Sequence, residues 1–94
     1  MIRSYQNDLT RQVAEGKLPK GFPGDLVRVV RRKLTMLDNA AVLEDLSASP
    51  GNRLHALKGD RTGQHAISVN DQFRLCFRWT DAGPEDVEFV DYHD

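Results

Sequence analysis

At 94 residues, 39% hydrophobic and 29% charged, the chain has the size and balance of one globular domain spanning residues 1–94 around a single core. It has no apolar run near the roughly 18 residues of a membrane span, no apolar leader after Met1-Ile2-Arg3-Ser4, and a lone Cys76 that forms neither a disulfide nor a zinc site, so a cytoplasmic protein with no membrane partner is expected. The net charge of −1 conceals an asymmetry: all 13 Lys and Arg precede residue 80 with 8 acids (+5), while the tail holds the other 6 acids (−6), and a basic body suits a polyanion.

Ile2 to Tyr5 predicts a short first strand. A helix follows, capped by Asn7 or Asp8, with Leu9 and Val13 one turn apart and Gly16 to end it. Two prolines and two glycines make Lys17 to Gly24 a connection. From about Asp25 to Asn39 a second helix is expected, its buried stripe formed by Leu26, Val30, Leu34, Leu37 and Ala41. Arg28, Arg31, Arg32 and Lys33 cover its outer circumference, where they are solvated and can touch RNA. Ala40 to Leu46 adds a short turn, and Ser47 to Asn52 is a loop.

Three strands are predicted next, over 53–61, 64–69 and 73–79, each bounded by turn-forming residues. In the third, Phe73, Leu75, Phe77 and Trp79 point to one side and Arg74, Cys76 and Arg78 to the other. One face is therefore core and the other is expected to present cations to solvent. Asp81 to Pro84 makes a turn, and Asp86 to Tyr92 a last strand with Val87 and Phe89 inward. The order implies an α+β domain, a small single domain with an N-terminal strand and two helices packed on one face of an antiparallel sheet.

The open face is where chemistry is expected. His65 shares its parity with Ile67 and Val69 and is taken as structural. His55 and Lys58 flank a strand end at the Gly59 turn, Arg74 stands on a rigid strand, and Asp91, Tyr92 and His93 close the chain. Attack of a ribose 2′-hydroxyl on the neighbouring phosphate needs a base, an acid and cations for the phosphoryl oxygens, and it needs no metal. Imidazole, with a reference pKa of about 6.5, serves as acid or base near neutrality. Lys58 and Arg74 can balance phosphate charge, and the Tyr92 ring can stack on a splayed base. The three histidines are scattered and no carboxylates have metal-ligand spacing, so neither metal nor cofactor is expected.

The series Arg53-Leu54-His55-x-Leu57-Lys58-Gly59-Asp60-Arg61-x-Gly63, Ile67-Ser68-Val69-Asn70, Phe73-Arg74-Leu75-x-Phe77-Arg78 and Val90-Asp91-Tyr92-His93 resembles the HigB toxins of the RelE/ParE superfamily of toxin-antitoxin systems. The resemblance implies a RelE-like microbial RNase fold. It also implies metal-independent cleavage of messenger RNA in the A site of the 70S ribosome, leaving a 2′,3′-cyclic phosphate. A HigA-like helix-turn-helix antitoxin is the implied partner, with operator DNA bound only through that complex. Carried over residue by residue, the functional positions are His55, Lys58, Arg74, Asp91, Tyr92 and His93. Some members carry a further cation where this chain has Val69 and Asn70, a charge that Arg61 or Arg78 can supply; Arg61, Arg78, Arg31 and Arg32 are the RNA-binding candidates. Two competing functions share the fold or the basic sheet: a ParE-like toxin that inhibits DNA gyrase without cutting RNA, and a non-catalytic RNA-binding module.

Overall fold

A computed structural model describes residues 1–92. Two helices, α1 (Asp8–Ala14) and α2 (Val27–Asn39), precede four strands, β1 (His55–Ala56), β2 (His65–Ser68), β3 (Phe73–Thr80) and β4 (Gly83–Asp91). The strands form one antiparallel meander in the order β1-β2-β3-β4. Among the described residues no helix is long and apolar enough to cross a membrane.

Helix α1 starts where the sequence suggests, because the Asn7 side chain accepts from the Thr10 backbone N–H at 3.0 Å, and Gly16 beyond its end takes the left-handed φ of 92°. The buried hydroxyl of Thr10 accepts the Phe89 N–H at 3.0 Å, which docks α1 against β4. In α2 the buried positions are Val30, Lys33, Leu34 and Leu37, spaced by three and four as one face of a helix requires.

Three details of the helical half differ from expectation. Gly24–Leu26 is a 3-10 turn and α2 begins only at Val27, while Ala41 lies beyond the helix and is exposed. Lys33, expected on the outer face, is 6% exposed because it sits three residues from Val30, inside the stripe. Its ammonium bonds to Asn52 Oδ1, and burial, then the nearby Arg32 charge, lower its pKa. The short turn expected over 40–46 is the 3-10 turn Leu43–Ala48, and the predicted loop after it holds a second, Pro50–Asn52, where Asn52 also donates to the Leu46 carbonyl at 2.8 Å.

The core lies between the helices and one face of the sheet, with Val13, Val30, Leu34 and Leu37 packed on Ile67, Leu75, Phe77 and Val87. Phe22 joins it from the connection, its ring 4.8 Å from that of Phe89. The opposite face has no helix over it. There Leu57, Ala66, Cys76 and Val90 form a second, smaller apolar cluster, with Tyr92 packed against it.

The predicted first strand is a single parallel bridge, Tyr5 to Val87, so the N-terminal stretch lies along β4 at the sheet edge instead of on its face. Arg3 N–H donates to Pro84 at 2.8 Å, Gln6 N–H to Val87 at 2.9 Å, and Val87 N–H to Ser4 at 3.1 Å. A bulge makes this possible. Between the pairs Cys76–Glu88 and Arg78–Glu85 the β4 strand carries one residue more than β3, and Asp86 absorbs it with φ 53°. The first of the three central strands shrinks to His55–Ala56, because residues 59–61 turn as a 3-10 helix. The turn after β3 is also tighter than expected. Gly83 and Pro84 belong to β4, and Gly83, at φ 127°, lets the Met1 carbonyl approach where a Cβ would stand.

Candidate functional site

The register decides which predicted residues share the uncovered face. His55 pairs with Ala66, Ala66 with Cys76 and Cys76 with Glu88, which makes one row across four strands. Ser68, Arg74 and Val90 make the next row. Tyr92 follows Val90 by two residues and so falls on the same side, its backbone N–H donating to Gln72 at 2.9 Å. At ordinary strand spacings, two strands across and one row along set the Cα atoms of His55 and Arg74 roughly 12 Å apart. That gap is large enough for a phosphodiester between the two side chains.

His55 is exposed and its Nδ1 lies 2.8 Å from the Arg53 carbonyl. A carbonyl only accepts, so Nδ1 carries a hydrogen there and Nε2 is the ring nitrogen left outside that bond. The local backbone creates this contact: Arg53 adopts φ 48°, which turns its carbonyl toward the imidazole two residues on. Lys58 is exposed at the sheet edge, where the chain leaves Leu57 for the 59–61 turn.

Arg74 departs from expectation. Instead of standing in solvent it is 8% exposed, with Nη1 donating to the Asn70 and Phe73 carbonyls, the latter at 3.0 Å, and with Nε buried and unpartnered. Cys76 is fully buried for the same reason, the satellite cluster on what was expected to be a purely basic surface. Burial raises the thiol pKa, outweighing the nearby Arg61 and Arg74 charges.

Asp91 is exposed and pairs with Phe73, whose ring stacks on Phe89 on the helix side. It is therefore one residue out of phase with the Arg74 row, and its carboxylate accepts from Gln72 Nε2 at 3.1 Å. His93 lies outside the described residues. Arg61 donates to Glu88 at 3.2 Å and to Gln64 at 3.1 Å, so its charge is already engaged across the open face. Arg78 is exposed and pairs with Glu85 in the register. Arg31 and Arg32 ride on α2, on the other side of the sheet from Arg74; Arg31 donates to the Lys17 carbonyl at 2.9 Å and to Val13 at 3.3 Å. His65 faces the helix side as expected, its ring 6.3 Å from that of Phe77, but its buried Nδ1 has no hydrogen-bond partner among the described residues.

The β2–β3 turn was expected, but the part Asn70 plays in it was not. Asn70 Oδ1 accepts the N–H groups of Gln72 and Phe73 at 2.9 and 2.7 Å, and the same turn anchors Arg74, Asp91 and Tyr92 through the bonds above. An Asn two residues ahead of a turn's end is the signal that could have found it. Two hollows among the described residues lie elsewhere. One, between α2 and the 3-10 turns, is lined by Arg32, Met36, Asp45 and Asn52, and the other by Tyr5, Arg31 and Asp38. The candidate site is thus an open sheet surface, which suits an extended polymer better than a small enclosed ligand.

The family described as the RelE-like toxin of type II toxin-antitoxin system HigB matches residues 3–93. The chain belongs to this family. It is similar to Toxin HigB-1 of Vibrio cholerae serotype O1, 42% identical over 60 residues, 64% of this chain and 63% of that one. Along its whole length it is similar to Endoribonuclease HigB of Proteus vulgaris, 28% identical over 93 residues, 99% of this chain and 100% of that one. An uncharacterised protein of Haemophilus influenzae is 33% identical over 58 residues, 62% of this chain and 57% of that one. The matches therefore span less than two thirds of the Vibrio and Haemophilus proteins and all of the Proteus protein. The helix-backed antiparallel sheet is consistent with a RelE-like fold.

Proposed function

We infer that this HigB-family protein is the toxin of a type II toxin-antitoxin pair and works as an endoribonuclease, cutting messenger RNA in the ribosomal A site by 2′-hydroxyl attack on the adjacent phosphate. The observation that carries the reading is one face of the sheet holding the His55 imidazole, bound through Nδ1 to a backbone carbonyl, the Arg74 guanidinium and the Tyr92 phenol along successive rows. Family membership and the printed name of the Proteus relative support it.

His55 Nε2 is available to take or return a proton at the ribose or the leaving oxygen. Arg74 and Lys58 offset the charge that gathers on the phosphoryl oxygens, and Tyr92 carries the base. Proton transfer falls to His55, Asp91 or His93. A protein antitoxin is the partner that a type II system carries, here a HigA-like helix-turn-helix protein that brings the pair to operator DNA, in the cytoplasm.

Purified protein added to translating ribosomes, with transcript ends mapped by primer extension, tests this. The expected result is cuts inside codons with wild type and their loss in Arg74→Ala. Growth inhibition without any cut, in wild type and Tyr92→Ala alike, would point to a gyrase-type target or to RNA binding alone.

A further inference from the structure

Two buried hydrogen-bond donors sit side by side on the uncovered face with nothing to receive them. Ser68 on β2 and Arg74 on β3 are register partners, 5% and 8% exposed. Among the described residues neither Ser68 Oγ nor Arg74 Nε has a hydrogen-bond partner. Nη1 of the same guanidinium is satisfied by the Asn70 and Phe73 carbonyls, so the group is held by one nitrogen while Nε is left over. Directly opposed residues on an antiparallel pair hold their Cβ atoms roughly 5 Å apart, near enough for both groups to reach one oxygen. Turning them toward each other does not resolve the deficit, because the hydroxyl hydrogen would still lack an acceptor. On the far side of the row Val90 supplies none. Alanine, as at the neighbouring Ala66, would fill the position without this cost.

We propose that Ser68 is a substrate-binding residue whose hydroxyl, with the Nε–H of Arg74, holds one non-bridging oxygen of the phosphodiester to be cut. The proposal rests on the ribonuclease reading and adds to it a second donor for the phosphate from β2. Tyr92 packs on the Leu57, Ala66, Cys76 and Val90 cluster next to this row.

The test uses the full chain and inorganic phosphate at constant ionic strength, followed by the Ser68 amide and Arg74 Nε–H resonances. Wild type is expected to shift saturably, Ser68→Thr to stay within threefold, and Ser68→Ala to bind at least tenfold more weakly while melting no lower than wild type. Equal affinity in Ser68→Ala, no saturable shift in wild type, or a lower melting temperature in Ser68→Ala would overturn the assignment. On programmed ribosomes, sulfur at one non-bridging oxygen should slow wild type stereospecifically and leave Ser68→Ala indifferent, and a thio effect unchanged in Ser68→Ala also counts against it. Should wild type cut no RNA, the ribonuclease reading fails, and the phosphate titration still decides Ser68.

Discussion

Arg61 reaches across the uncovered face of the sheet to Glu88, Nη1 to Oε1 at 3.2 Å, and both charges act on the buried Cys76 thiol. The cation is therefore neutralised in the free protein at the place where a phosphate backbone would run. Glu88→Gln releases it. Because the pair is partly exposed, the change should cost less than about 1 kcal/mol of stability. Binding of a non-cleavable RNA should tighten severalfold and its dependence on log salt should steepen by about 0.7, the value for one added single-strand phosphate contact. Titrations at several salt concentrations check this; an unchanged slope shows that Arg61 does not meet RNA.

His55 is exposed and, among the described residues, its side chain bonds to the Arg53 carbonyl alone, so removing it touches little of the packing. His55→Ala should melt within a degree or two of wild type and slow cleavage by about 100-fold or more, the usual range for a lost proton-transfer group. Single-turnover cleavage alongside a melting curve separates the two effects. A large drop in melting temperature would reassign the imidazole to the fold.

Asn70 holds the turn from which Arg74, Asp91 and Tyr92 are anchored. Asn70→Ala leaves two backbone N–H groups without their acceptor, at a cost of about 1–2 kcal/mol in denaturant unfolding. Cleavage should fall further than stability explains, because Arg74 loses the geometry of its carbonyl anchor. Asn70→Asp retains the accepting oxygen and should recover most of both losses. Failure of Asp to rescue either would sink the anchoring role.

Cys76 is fully buried, and burial raises its thiol pKa. The folded state thus keeps a proton that the unfolded chain releases from about pH 8.5, the value of an exposed thiol. Stability from this group is complete below that value and is lost as pH rises toward the raised folded value. Cys76→Ala should flatten that alkaline decline in denaturant midpoints between pH 8 and 10. In the native protein a thiol reagent should react only at the unfolding rate, and fast labelling of native protein would contradict the burial.

Much of the frame was legible before any coordinates. Alternation in Phe73 to Trp79 names the inward face, Asn7 and Gly16 bound α1, and the stripe through Val30, Leu34 and Leu37 marks α2, because period and caps are properties of adjacent residues. The stretch around His55, Lys58, Arg74 and Tyr92 likewise pointed to the family. Less legible were features in which distant segments meet. Periodicity assigned Lys33 to the outer face since it is charged, yet Asn52, nineteen positions on, gives it a buried acceptor.

Arg74 is the plainest instance of that division. From the chain alone it is a cation on the side of a strand away from the core, and that side was correctly identified. Whether the side is wet depends on what lies beside it, and only the pairing of β2, β3 and β4 brings Ser68, Val90 and the Ala66–Cys76 row around the guanidinium. Local order is written in neighbouring residues, whereas burial and hydrogen-bond satisfaction are set by residues remote in the chain. The sequence by itself determined the elements, the face and the family; folding decided which cations are free, which are paired, and which donors wait for a ligand.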